Sequence, residues 1–193
     1  MQLDQDRAHQ VLSALAEQLG VAGAHFELVI IGGSALLALE LIERTTRDVD
    51  LLALLEDGGL VDPKPLPEVL ITARDRVARD FGLDPDWLNA APSSLLDFGL
   101  PEGFVERLES RRYGPSLTVH LASRFDQIHF KLYALVDQGP GKHEADLQAL
   151  APSREELLQA ARWSRTHDPS DGFRQELLAA LGYLGVEDAD LGA

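Results

Sequence analysis

Apolar side chains between residues 4 and 19 recur at Ala8, Val11, Leu12, Leu15 and Leu19. That three-and-four spacing predicts a helix with one buried face, and Gly20 ends the run. Residues 26–31 read differently: they are short, continuously apolar and rich in Val and Ile, which suits a strand buried on both sides. Gly32 and Gly33 stop that strand, and Ser34 is placed to cap a helix over residues 35–43. After a polar turn, Arg44-Thr45-Thr46, residues 48–52 alternate. Period two then sets Asp48 and Asp50 on one strand face and Val49 and Leu51 on the other.

The remaining pattern is mostly helical. A turn-rich stretch containing Pro63, Pro65 and Pro67 leads into a predicted helix over residues 68–81. Residues 82–92, with Trp87 and Asn89, show too little periodicity to place. Leu117, Val119 and Leu121 predict another strand, with Thr118 and His120 on its opposite face. Over residues 124–137, Phe125, Ile128, Leu132, Leu135 and Val136 form one helical stripe, leaving Lys131 beside its edge and able to aim an ammonium at a cleft. A short helix over 143–150 sets His143 and Asp146 one turn apart. Amphipathic patterns over 154–167 and 172–184 read as a helical hairpin, and the acidic tail beyond it is expected to fray. The expected class is α/β in the α+β sense: a small mixed sheet with flanking helices over residues 1–125, then a helical C-terminal region over 126–193 that closes one side of a cleft.

Composition narrows what this fold would do. With 193 residues, 45% apolar and 25% charged, the chain has ordinary globular values and can bury a substantial core. It has no cysteine, which excludes disulfides, thiolate metal sites and cysteine nucleophiles, and fits a reducing compartment. The N-terminus lacks a basic region followed by an apolar core, and no apolar run approaches a membrane span, so a soluble cytoplasmic protein is expected. The formal charge of −15 repels nucleic acid. A polynucleotide would need a local basic patch, for which the candidates are Arg74, Arg76 and Arg79 on one predicted helix, Arg107, Arg111 and Arg112 on another, and Arg162 with Arg165. Pairing with surrounding carboxylates is the alternative use of these side chains.

The densest chemistry lies between residues 26 and 52. Strand, glycine turn and helix start together aim N–H groups and a positive dipole end at one spot, a candidate phosphate site. Asp48 and Asp50 repel each other unless a cation lies between them, and hard oxygen ligands at this spacing suit magnesium or manganese carrying a nucleotide's phosphates. Two plainer readings remain open: the glycines as a tight connection only, and the acids as a solvated strand edge. A dinucleotide fold is less favoured than either, because it would need G-x-G-x-x-G and no glycine lies between Gly33 and Gly58.

The order GGS, helix, RTTRDVDLL resembles the nucleotidyltransferase signature of the polymerase-beta-like superfamily. The segment FKLYALVDQGPGKHEADLQAL, with its Lys131 and Asp146, is similar to a block of the prokaryotic branch related to abortive-infection and toxin-antitoxin toxins. The resemblance implies a metal-dependent enzyme that moves a nucleoside monophosphate from a nucleoside triphosphate to an acceptor hydroxyl, with Mg2+ or Mn2+. It further implies Asp48 and Asp50 as catalytic metal ligands, Gly32, Gly33, Ser34 and Lys131 as nucleotide contacts, and Lys131 and Asp146 as residues needed for activity. The acceptor could be a protein, a tRNA end or a small molecule, and an antitoxin-type protein partner is implied by the toxin branch. One departure stands out: His120 occupies the strand position where many relatives place a third carboxylate. A catalytically silent nucleotide- or partner-binding relative is therefore a second reading, and a DxD enzyme of glycosyl transfer a third.

Overall fold

The computed structural model describes residues 2–191. The chain divides into two compact units, Met1–Ser123 and Arg124–Ala193. The first is a mixed α+β unit whose elements run α1 (Gln5–Val21), β1 (Phe26–Ile31), α2 (Gly32–Ala38), β2 (Val49–Glu56), β3 (Gly59–Val61), α3 (Glu68–Phe81), β4 (Leu88–Asn89), β5 (Glu109–Arg112) and β6 (Leu117–Leu121). Asp4 caps α1 by accepting from the Arg7 backbone N–H.

The strands form one sheet in the order β3-β2-β1-β6-β5, and β4 pairs with the start of β2. The central strand β1 runs antiparallel to β2 and parallel to β6. Alternation divides the sheet's side chains. Leu28, Ile30, Val49, Leu51, Leu117, Val119 and Leu121 join α1 and α3 in one apolar cluster. Glu27, Val29, Ile31, Asp50, Thr118 and His120 have the opposite parity. Trp87 belongs to the apolar cluster, fully buried, with its indole N–H donating to the Arg74 carbonyl at 3.1 Å. It is therefore a core residue of the α1/α3 side, and its neighbour Asn89 is the one set beside Asp50.

Four local expectations are corrected. The helix predicted over 35–43 is α2, already begun at Gly32 and ended at Ala38. Its end is a Schellman turn: the Glu40 N–H bonds to Leu37 O, the Leu41 N–H to Leu36 O, and Glu40 takes φ 60°. Glycine usually fills that position, so a glutamate gave no stop signal. The stretch after β2 contains a hairpin, since Asp57 (φ 50°) and Gly58 (φ 79°) make a tight two-residue turn into β3. Arg111 and Arg112 lie on β5, not on a helix, and Arg107 lies in a single 3-10 turn. All four residues of β5 are exposed, so it carries no apolar alternation to mark it.

The second unit is helical: α4 (Arg124–Gln138), α5 (Lys142–Leu150), α6 (Arg154–His167) and α7 (Asp171–Tyr183). Helix α4 packs on each of the other three. Trp163 of α6 gathers the aromatic interior, with ring centroids 5.6 Å from Phe130 and 4.2 Å from His167. Arg124 ties the unit's start together, donating to Leu150 O at 2.6 Å and to Glu156 Oε1 at 2.6 Å. Leu191 is buried, so the chain is packed to that point; Gly192 and Ala193, the end of the tail expected to fray, lie outside the described residues. Among the described residues no helix is long and apolar enough to cross a membrane.

Candidate functional site

The turn that ends β1 faces the start of β2. Antiparallel register pairs Ile31 with Asp50, so the two glycines come out of β1 directly beside the acid pair. Gly32 takes φ +74°, and a Cβ there would run into Asp50 Oδ2. At Gly33 a Cβ would meet Thr46 Oγ1 at 3.0 Å and Arg44 NH2 at 3.4 Å. The Thr46 hydroxyl in turn donates toward Asp48 Oδ1 at 3.3 Å. Each glycine thus leaves room for one arm of the acid pair, Gly32 for Asp50 directly and Gly33 for Asp48 through Thr46. Thr46 is anchored by a two-way backbone bridge to Leu3, at 2.6 and 2.9 Å. Arg44 and Thr46, which the alternation marks as a turn and the resemblance includes in its RTTRDVDLL block, are hence parts of the cradle.

Asp48 precedes β2 instead of lying in it, and Asp50 is its second residue, flanked by Ile31 and Asn89. Both acids are partly exposed. Ser34 does not cap α2: it sits in the first turn, buried, and its hydroxyl donates to Ile31 O at 3.5 Å. The positive φ of Gly32 marks a helix start three residues earlier than a serine cap would give. The Ser34 side chain lines a cavity of about 230 Å³ with Leu12, Ile30, Val49 and Tyr113, on the α1 side of the sheet.

Within the helical unit, Lys131 and Asp146 meet. Their Nζ and Oδ2 atoms are 2.7 Å apart, with side chains 5% and 0% exposed. The lysine is not at the edge of an apolar stripe, because α4 is buried on nearly every side: Asp126, Gln127, His129 and Lys131 are as hidden as Ile128 and Leu132. The Nε2 atom of His143 lies 3.0 Å from Gln138 Oε1.

His120, on the face opposite the α1/α3 cluster, is held from both sides. Its Nε2 lies 2.8 Å from Glu27 Oε2 and its Nδ1 2.8 Å from Ser110 Oγ. A carboxylate only accepts, so Nε2 carries the hydrogen in the neutral ring and Nδ1 accepts from the serine hydroxyl. The His120 contact, aided by His25, holds the Glu27 carboxyl below its ordinary range. Glu27 and Ser110 were not singled out in the sequence. Their signal emerges only once register is known: Ser110 is opposite His120, and Glu27 is opposite Thr118, two residues before the histidine on the same face.

Among the described residues no three His, Cys, Asp or Glu side chains gather as a ready-made metal cage. Two partly exposed carboxylates beside a glycine cradle suit instead a hard cation that keeps substrate phosphates in its shell. The model of a family described as nucleotidyltransferase of unknown function matches residues 9–139, a span covering the sheet, the glycine turn and the acid pair and reaching past Lys131. No curated protein and no solved structure shows significant similarity to the chain.

Proposed function

The chain belongs to the nucleotidyltransferases of unknown function (DUF6036), and from that membership we propose a metal-dependent transfer of a nucleoside monophosphate from a nucleoside triphosphate to an acceptor hydroxyl. The observation that carries the reading is the absence of space for a Cβ between Gly32 and Asp50. A glycine turn and an acid pair that touch form one compartment. Asp48 and Asp50 would hold Mg2+ or Mn2+, which when bound offsets phosphate charge and orients the triphosphate. The first-turn N–H groups of Gly33 and Ser34 have no intrahelical carbonyl and would receive phosphate oxygens. Arg44, beside Gly33, adds a cation to the rim. Catalysis then rests on alignment and on charge fixed in advance, with little covalent chemistry asked of the protein.

Within the helical unit Asp146 fixes the rotamer and orientation of Lys131, and the need of both residues for activity is a proposal that rests on the sequence resemblance. The toxin-like role and an antitoxin-type partner are proposals that rest on the sequence resemblance. A second reading has its own support. His120 stands where a third strand carboxylate was sought and is engaged by Glu27 and Ser110, which favours a protein that binds the triphosphate without transferring it.

Calorimetry with each of the four ribonucleoside triphosphates tests the site. Binding should require the divalent cation, and Asp50→Asn should remove the metal-dependent part while leaving the melting temperature unchanged or raised, since it relieves carboxylate repulsion. Equal affinity with and without metal would contradict the site. Labelled triphosphate that binds but is passed to no fraction of a cell extract would favour the silent binder.

A further inference from the structure

Three adjacent strands carry a hydrogen-bonded line that the proposed transfer does not use: Glu27 on β1, His120 on β6 and Ser110 on β5. Its order has direction. Glu27 accepts from Nε2–H, so the Nδ1 lone pair is turned to the Ser110 hydroxyl, which is the arrangement that makes a serine oxygen a ready nucleophile. His120 is 8% exposed, while Ser110 is exposed on the edge strand of the sheet. A neutral histidine whose Nε2–H is taken by a carboxylate needs one donor at Nδ1, and here that donor is an exposed serine hydroxyl instead of a backbone N–H, which leaves a shielded base behind an accessible oxygen. The line does not form a hydrolase. Ser110 sits mid-strand, where neighbouring amides point along the ladder and do not converge on a developing oxyanion.

We propose that Ser110 is an acceptor hydroxyl for nucleotidyl transfer, modified by a second copy of this chain; the inference rests on the transferase reading given above. The second copy follows from register. Ser110 is opposite His120, His120 opposite Val29, and Asp50 opposite Ile31. Three strand spacings and two residues of rise put Ser110 roughly 16 Å from Asp50 in the same sheet. A phosphorus held next to Asp50 is out of reach of that serine, whereas an edge strand open to solvent can enter another molecule's site. In the step, Ser110 Oγ forms a bond to the α-phosphorus. Its proton passes to His120 Nδ1, the bond from that phosphorus to the bridging oxygen breaks, and pyrophosphate leaves with the electron pair. Glu27 does not touch the reacting atoms and is a positioning residue that holds the ring's tautomer and favours the imidazolium.

The experiment uses full-length chains, magnesium and each ribonucleoside triphosphate, read by intact mass and peptide mapping. Wild type should gain one nucleoside monophosphate at Ser110, and Ser110→Ala and Asp50→Asn should each gain none alone. Mixed together, the Asp50→Asn copy alone should be modified, because it keeps the serine while Ser110→Ala keeps the acids. His120→Gln should slow the modification at least a hundredfold. Glu27→Gln should lower kcat for the modification while leaving KM for the triphosphate and the melting temperature unchanged, and Glu27→Asp should restore part of the rate; a merely structural Glu27 would lower the melting temperature and leave kcat in place. Modification at another residue, or none at Ser110 while triphosphate binds with metal, overturns this assignment and leaves the transferase reading standing. Failure of metal-dependent binding overturns both.

Discussion

Gly32 and Gly33 are adjacent, yet the structure asks different things of them. Gly32 needs both a positive φ and the space that Asp50 Oδ2 occupies, whereas a Cβ at Gly33 meets side-chain atoms at 3.0–3.4 Å with no unusual backbone angle. Gly32→Ala should therefore lower stability by about 1–2 kcal/mol from backbone strain alone, and by displacing the carboxylate should also abolish metal-dependent triphosphate binding. Gly33→Ala should cost less on both counts. Thermal unfolding and calorimetry on the two variants check the order, and equal effects would mean that the cradle is not built as described. Lys131 and Asp146 allow a different separation. Removing one partner of a buried pair costs about 3–5 kcal/mol, whereas replacing both with apolar residues is often neutral. Lys131→Met should be strongly destabilised in denaturant titrations, and Lys131→Met with Asp146→Leu should recover most of the loss. If the pair serves transfer, that recovered chain stays inactive; if it transfers at the wild-type rate, the pair is structural only.

At the scale of elements, α6 shows how a helix start can be reinforced from elsewhere in its unit. Ser153 and Glu156 form a reciprocal capping box, and Glu156 also receives Arg124. The Arg124 hydrogen bond, with the Ser153 contacts behind it, brings the Glu156 carboxyl down to about 2 from 4.5. A depressed carboxyl stabilises the fold above its unfolded value and loses that contribution as pH falls through the folded one. Glu156→Gln should thus cost about 1–2 kcal/mol at pH 7, and its gap from wild type should close between pH 4.5 and 2 in unfolding measured across that range. A gap independent of pH would rule out the charge as its source. Helices of this kind were legible beforehand: the bounds of α3 and α6 follow from apolar spacing and a polar start. The mixed sheet and its helices were legible too, as were the strand at 26–31 and the one at 117–121. What stayed hidden depended on partners distant in sequence. Glu40 ends α2 in a conformation its side chain does not favour, β5 is polar on both faces, and Lys131 is buried only because Asp146 supplies its counter-charge.

For the whole molecule, the formal charge of −15 acts on any anionic substrate before contact. Arg74 and Arg162 are paired with carboxylates, and Arg79 and Arg165 donate to backbone carbonyls, so these four candidates for a basic patch are engaged within the fold. Association of a metal-bound triphosphate should accordingly quicken as ionic strength rises from about 0.01 to 0.15 M, where the screening length shortens from about 30 to 8 Å. Stopped-flow rates that fall over that interval would show that cations near the site outweigh the general field. The parallel pairing of β1 with β6 has a consequence of another sort. Residues 26–31 lie at the middle of the sheet, yet half of their ladder is supplied by residues 117–121. During synthesis the ribosome delivers β1 and β2 early, and they can zip together as neighbours in the chain. The other edge of β1 then waits, apolar and open, until the roughly 65 residues from the end of β2 to the end of β6 have been made, at about 5–20 residues per second. For several seconds the nascent chain exposes the very backbone that will later hold the glycine turn in place, and its safe passage depends on how quickly the last strand arrives.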